Sequence, residues 1–197
     1  MVLFFDIGNV LLRFDPRRSV SELAWAVRRH PVRLAKFLWG GRLVDRIERG
    51  KLSPPELYDM FRLEFGYSGG YAAFRALWCG PFELIRPTAR LFARLARRHR
   101  VYLLSNTNAL HYEYVRRRYA FVRQAHGAVL SYRLGLRKPE KAIYRAAQRA
   151  ARAPAKRCLF IDDRAENVAG ARAAGWRAIR YTTHELLVRE LTALGLV

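Results

Sequence analysis

The chain has 197 residues, 51% of them hydrophobic, with 37 Lys and Arg against 16 Asp and Glu, a formal charge of +21. That length and apolar content exclude intrinsic disorder and suit one domain of ordinary size, or a core with a modest insertion. No apolar run approaches a membrane span, no charged leader precedes the first strand, and Cys79 and Cys158 sit in no zinc pattern, so a cytoplasmic protein with free thiols is expected.

Val2–Phe5 is short and rich in branched and aromatic residues, which predicts a strand buried on both faces, with Asp6 at its carboxyl end. In open α/β sheets ligands bind in the crevice beyond those ends, so position makes Asp6 a candidate site residue; a turn or helix-cap aspartate is the structural alternative. Residues 17–85 then show no convincing strand but several amphipathic stretches, such as Val20, Leu23, Ala24 and Val27, which predicts an all-helical insertion. Ser53-Pro54-Pro55-Glu56 supplies an N-cap, a proline at the first helical position and a reciprocal Glu, so a helix starts there and buries Leu57, Met60, Phe61 and Phe65. Trp25, Trp39 and Trp78 are expected to pack between the insertion helices.

Further strand-like runs at 101–104, 128–131, 158–161 and 177–181 alternate with helical patterns, the mark of a parallel sheet. Leu91, Phe92, Leu95 and Ala96 repeat at helical spacing after Pro87, and Ile143, Ala146, Ala147 and Ala150 do so after Pro139. A helix over 164–174 should stop at Gly175, and Thr182 with Glu185 reads as a capping box for the last helix. The expected fold is α/β: a doubly wound, Rossmann-like parallel sheet from residues 1–16 and 86–197, with a helical cap of residues 17–85 inserted after strand one.

Three polar clusters stand where later strands end or shortly beyond: Ser105 and Asn106 in "LLSNTN", Lys138 in "GLRKPE", and Asp162, Asp163 and Asn167 in "FIDDRAEN". Alone, each has a structural reading as turn residue, solvated charge or helix cap. Taken in order and tied to strand ends, they bring to the Asp6 crevice carboxylates for a hard cation, a hydroxyl and amides for phosphate oxygens, and a lysine for charge. The positive charge does not single out nucleic acid. Lysine occurs only at 36, 51, 138, 141 and 156, Arg is scattered through nearly every helix, and "RRHR" and "RRR" lack interleaved aromatics.

The stretches "FDIGNVL", "ERGKLS", "SNTNALH", "LGLRKPEKAIY" and "DDRAENVAGARAAGW" resemble the haloacid dehalogenase superfamily, in the subgroup with a small helical cap that includes sugar phosphatases. The resemblance implies a Mg²⁺-dependent phosphatase that works through an aspartyl-phosphate. It makes Asp6 the nucleophile and a metal ligand, the Gly8 carbonyl and Asp163 the other protein ligands, and Asp162, with Asn167, the supporting layer that orients Asp163. Ser105 and the amides of Asn106 and of Ile7 to Asn9 would hold the phosphoryl oxygens, and Lys138 would neutralise charge on nucleophile and phosphate. Substrate choice would fall to Trp39 and Arg42 of "WGGR" and to Asn108 and His111.

The superfamily's phosphatases usually carry a second Asp two residues after the nucleophile, and here that position is Gly8. Loss of a general acid and base costs about 10² to 10⁴ in rate unless the leaving group departs easily or another group substitutes. The expected substrate is a small phosphorylated metabolite, a sugar 1-phosphate first, with a nucleotide or flavin mononucleotide as the alternative among enzymes. A non-catalytic phospholigand-binding or RNA-binding member of the fold is the alternative from another class. Dehalogenase chemistry fits Lys138 and the paired aspartates less well than a metal-bound phosphate does.

Overall fold

A computed structural model describes residues 1–80 and 82–197. Five parallel strands, β1 (Val2–Phe5), β4 (Arg100–Ser105), β5 (Gly127–Leu130), β6 (Cys158–Asp162) and β7 (Arg177–Arg180), form one sheet in the order β5-β4-β1-β6-β7. β1 lies at the centre: Val2 to Phe5 pair with Arg100 to Leu103 on one side and with Cys158 to Ile161 on the other. Its side chains alternate between two cores. Leu3 and Phe5 join Phe92, Leu95 and Leu191 on one face; Val2 and Phe4 join Tyr144, Phe160 and Trp176 on the other. Burial on both faces is why the run reads as uninterrupted apolar residues rather than as an alternation.

The crossover helices cover those two faces as expected: α6 (Arg86–Ala96), α9 (Lys141–Ala151), α10 (Ala165–Ala173) and α11 (His184–Ala193). Gly175 follows α10 with φ of 84°, a left-handed position that glycine reaches without a Cβ penalty. The cap of α11 is Thr183, whose side chain accepts from the Leu186 amide, and not Thr182. The expected pairing with Glu185 is therefore out of register by one residue.

Between the first two sheet strands lie the helices α1 (Pro16–Ala26), α2 (Pro31–Gly40), α3 (Leu43–Glu48), α4 (Pro54–Phe65) and α5 (Tyr71–Cys79). They bury their own cluster, in which Val20, Leu23, Ala24 and Val27 meet Leu57, Phe61 and Phe65. The capping box of α4 is complete: the Ser53 amide donates to Glu56 Oε2 at 2.7 Å, and the Glu56 amide donates back to Ser53 Oγ at 3.4 Å. The reading of this region as strand-free needs correction. Leu12–Phe14 (β2) pairs antiparallel with Phe82–Leu84 (β3), closing the neck of the insertion. Three residues each are too few to show a period. Of the three tryptophans, Trp78 is packed as expected, while Trp25 is 85% exposed and Trp39 is 50% exposed. The remaining helices α7 (Ala109–Arg118) and α8 (Ser131–Leu134) follow β4 and β5.

Candidate active site

The strand order reverses between β1 and β6, the place where a doubly wound sheet opens a crevice at the carboxyl ends. Asp6 and Asp162 stand on either side of it, and the Asp6 amide donates to the Ile161 carbonyl at 2.9 Å, carrying the sheet ladder up to Asp6. Lys138 reaches in from the segment after α8. Its ammonium is buried and makes three contacts: Asp162 Oδ2 at 2.7 Å, Asp6 Oδ1 at 2.9 Å and the Leu104 carbonyl at 3.0 Å. All three ammonium hydrogens are used, so the lysine is fixed in direction as well as charge. Burial alone would lower its pKa, but the two carboxylates hold it above the ordinary value.

Asp6 Oδ1 also accepts from the Ile7 amide at 2.8 Å. Burial pushes the Asp6 carboxyl up to about 7 against the pull of Lys138, with the Asp162 charge adding to the rise. Asp162 is spent on its neighbours: both oxygens accept from Asn167 Nδ2 at 3.0 Å, and Oδ1 accepts from the Arg164 amide at 2.9 Å. No hydrogen bond joins it to the Asp163 side chain among the described residues. Asp162 with Asn167 thus aims Lys138, where the expectation had it orient Asp163. The latter is approached instead by Asn9, whose Nδ2 donates to Asp163 Oδ2 at 3.4 Å. Asn9 sits at φ of 52° and its own Oδ1 accepts from the Phe14 amide.

Carboxylate oxygens of Asp6, Asp162 and Asp163 lie within 4.8 Å of one another. One ammonium among three acids leaves a net negative site, and burial together with the Asp162 charge raises the Asp163 carboxyl above its ordinary range. A hard divalent cation relieves that crowding, and all-oxygen donors are the set that Mg²⁺ takes. Because both Asp162 oxygens accept from Asn167, Asp6 and Asp163 are the carboxylates that could hold it.

At the end of β4, Ser105 is buried and Asn106 is a clamp on the lysine segment: its Oδ1 accepts from the Lys138 amide at 2.8 Å and its Nδ2 donates to the Lys138 carbonyl at 3.0 Å. Ser131, on which the third strand was expected to end, opens α8 and bridges the Thr107 amide and carbonyl, tying β4 to β5 below the site. A cavity of about 710 Å³ opens directly over Ile7, Gly8, Ser105 and Asn106 and extends under the helices of the insertion. Trp39, Arg42, Asn108 and His111 all line it.

Sequence reading missed an ion-pair network at its edge. Arg137, beside Lys138, reaches Asp45 at 2.6 Å and Glu48 at 2.6 Å on α3, and Arg49 pairs with Asp45 and with Glu140. It ties the insertion to the segment that carries the buried lysine. Apart from the Asp45 and Arg49 pair at i,i+4, no local pattern signals it, because Arg137 and Asp45 are 92 residues apart.

Residues 1–175 match the haloacid dehalogenase-like hydrolase family. The chain belongs to that family. The haloacid dehalogenase (HAD) fold of this enzyme is similar to that of a HAD family enzyme from Bacteroides thetaiotaomicron in complex with magnesium and inorganic phosphate, with a TM-score of 0.81 and 26% identity over 92% of this chain and 93% of that one. A predicted HAD-like family hydrolase from Porphyromonas gingivalis shares the fold with a TM-score of 0.84 and 22% identity, covering 98% and 96% of the two chains. A sesquiterpene phosphatase of Aspergillus oryzae is 25% identical over 96% of this chain and 94% of its own. Among the described residues of this HAD-like hydrolase, no helix is long and apolar enough to cross a membrane.

Proposed function

We propose that this HAD-like hydrolase is a Mg²⁺-dependent phosphomonoesterase acting on a small phosphorylated metabolite through phosphorylation of Asp6. The observation that carries the reading is the buried Lys138 ammonium shared by Asp6 and Asp162, beside the Asp163 carboxylate. A carboxylate attacks a phosphate dianion only where charge on both is screened. Lys138 supplies one positive charge, aimed by Asp162, at the oxygen of Asp6.

Mg²⁺ held by Asp6, Asp163 and the Gly8 carbonyl would add the rest of the screening and polarise a phosphoryl oxygen. Asp6 Oδ1 is held by the Ile7 amide and Lys138, which fixes the direction of the attacking carboxylate. It bonds to phosphorus as the bond from phosphorus to the departing alcohol oxygen breaks. That alcohol oxygen takes its proton from solvent, since Gly8 offers none. Ser105 Oγ and the amides of Gly8 and Asn106 follow the equatorial oxygens; the Ile7 and Asn9 amides, expected there too, donate instead to Asp6 Oδ1 and the Leu12 carbonyl. Water then attacks phosphorus, releasing inorganic phosphate and restoring the carboxylate.

The supporting comparisons are the family match, the magnesium and phosphate complex of the Bacteroides relative, and the phosphatase from Aspergillus. A sugar 1-phosphate remains the substrate that the sequence resemblance suggests, and the relative acting on a sesquiterpene suggests a hydrocarbon phosphate; the cavity volume admits either. Release of p-nitrophenol from its phosphate with Mg²⁺, and its loss in EDTA and in Asp6→Asn, tests the reading. Turnover by Asp6→Asn near the parent rate would remove Asp6 from this role.

A further inference from the structure

Resting on the phosphomonoesterase reading, we infer that the alcohol half of the substrate is an apolar hydrocarbon rather than a polyol, held by the walls of the cavity over Ile7 and Gly8. The cavity falls inside the range of about 300 to 1,000 Å³ that holds drug-sized ligands, so its walls set the chemistry. Away from the phosphate end they are built from Phe14, Leu23, Leu38, Val44, Trp78 and Phe82, contributed by β2, α1, α2, α3, α5 and β3. Every element of the neck and insertion except α4 thus presents a hydrocarbon or aromatic surface to the same space.

The two polar side chains best placed to read a sugar are already consumed. Asn108 Oδ1 accepts from the His111 amide at 3.0 Å, and its Nδ2 lies 3.1 Å from His111 Nδ1. His111 Nε2 lies 3.0 Å from the Trp78 carbonyl, which can only accept, so Nε2 carries the proton and Nδ1 accepts from Asn108. The imidazole is closed in by the rings of Phe82 at 5.0 Å and Phe14 at 5.6 Å, and burial pushes its pKa down to about 4, keeping it neutral. The charged groups at the edge are paired, Arg137 with Asp45 and Glu48 and Arg164 with Glu166, which leaves Arg137 Nε and Trp78 Nε1 as the buried donors there without a partner among the described residues. Arg42 is exposed at the mouth. The neutral hydroxyls beyond the phosphate end are few, those of Ser19, Thr107 and Tyr112. A polyol would bury several hydroxyls against carbon, each unpaired one costing about tenfold or more. A hydrocarbon chain loses nothing there and gains about fourfold per buried methylene, 0.8 kcal/mol.

The test is kcat/KM for n-alkyl phosphates from ethyl to decyl, each below its micelle concentration, beside α-D-glucose 1-phosphate. The expected result is a rise of about two- to fourfold per methylene until the cavity fills, with decyl phosphate at least about a hundredfold above ethyl phosphate and glucose 1-phosphate no better than ethyl phosphate. A flat series, or glucose 1-phosphate above decyl phosphate, would overturn the inference. Val44→Asp should lower the decyl to ethyl ratio at least about tenfold; an unchanged ratio counts against the wall. A binding arm separates the two readings: decylphosphonate and ethylphosphonate are titrated calorimetrically with Mg²⁺. If no monoester is hydrolysed yet decylphosphonate binds at least about a hundredfold tighter with a negative heat-capacity change, the catalytic reading fails and the apolar wall stands. Equal affinities overturn the wall whatever the turnover.

Discussion

Replacing Lys138 by Met is expected to be costly in a pH-dependent way. The side chain is 1% exposed and its ammonium is the shared counter-ion of two buried carboxylates at 2.9 and 2.7 Å. Met fills most of the volume but leaves Asp6 and Asp162 facing each other with no positive partner. Removing one member of such a buried set costs about 3–5 kcal/mol at pH 8, a fall in melting temperature of about 10 °C for a chain of this size. The Asp6 carboxyl, already raised by burial and by the Asp162 charge, then loses the counter-pull of Lys138 and rises further. As Asp6 titrates, the folded variant therefore binds more protons than its unfolded chain, so this contribution to stability is greatest at low pH and is lost as pH rises through the raised value. Urea denaturation of both proteins in EDTA at about pH 5 and pH 8 measures this, and the deficit should shrink at pH 5 to less than half. An equal deficit at both pH values, or one below about 1 kcal/mol at pH 8, would refute the electrostatic account of Lys138. Turnover with Mg²⁺ should fall about 10²-fold or more.

Gly8→Asp is expected to raise kcat/KM for substrates with basic leaving alcohols, by about tenfold or more, and to flatten the dependence on leaving-group pKa across substituted phenyl phosphates. A Cβ there would meet nothing within 4 Å, so a side chain can start without a clash; an unchanged slope would show that another group already protonates the leaving oxygen. Asp163→Asn should raise the Mg²⁺ concentration for half-maximal rate at least about tenfold, and an unchanged metal dependence would argue against ligation. His111, with its pKa lowered from 6.5 to about 4, is bound neutral, so folding excludes a proton that the unfolded chain accepts. Stability should fall by up to about 3 kcal/mol as pH drops from 6.5 to 4, a loss that His111→Gln should remove in matched urea titrations. Trp39→Ala and Arg42→Ala should change the ranking of a phosphometabolite panel; an identical ranking would make "WGGR" a structural turn.

The centre of this site was legible because its chemistry sits on unambiguous local structure. Asp6, Ser105 and Asp162 each close an apolar strand, and a strand buried on both faces cannot place a carboxylate or a hydroxyl anywhere but its end without burying it unpaired. Lys138 was identifiable as a charge near the site, but not as the knot between Asp6 and Asp162, since that depends on which oxygens its three hydrogens find. The roles of Asn108 and His111 changed for a related reason. Read from sequence they are free polar groups, and only the contact of His111 with the Trp78 carbonyl turns them toward each other and the protein backbone. The β2 and β3 pair and the network of Arg137 with Asp45 and Glu48 escaped notice because both join segments far apart in the chain, with no local period to announce them.

The central claim is that Asp6 carries the phosphoryl group during turnover. Acid quenching of the Mg²⁺-loaded enzyme with excess decyl phosphate, borohydride reduction and peptide mass spectrometry test it directly, because the hydride converts an acyl phosphate, but not a free carboxylate, to an alcohol. Conversion of residue 6 to homoserine in the presence of substrate, and not in its absence, is the result expected. Sustained phosphate release with an unmodified Asp6 peptide, or reduction at another carboxylate, would contradict it.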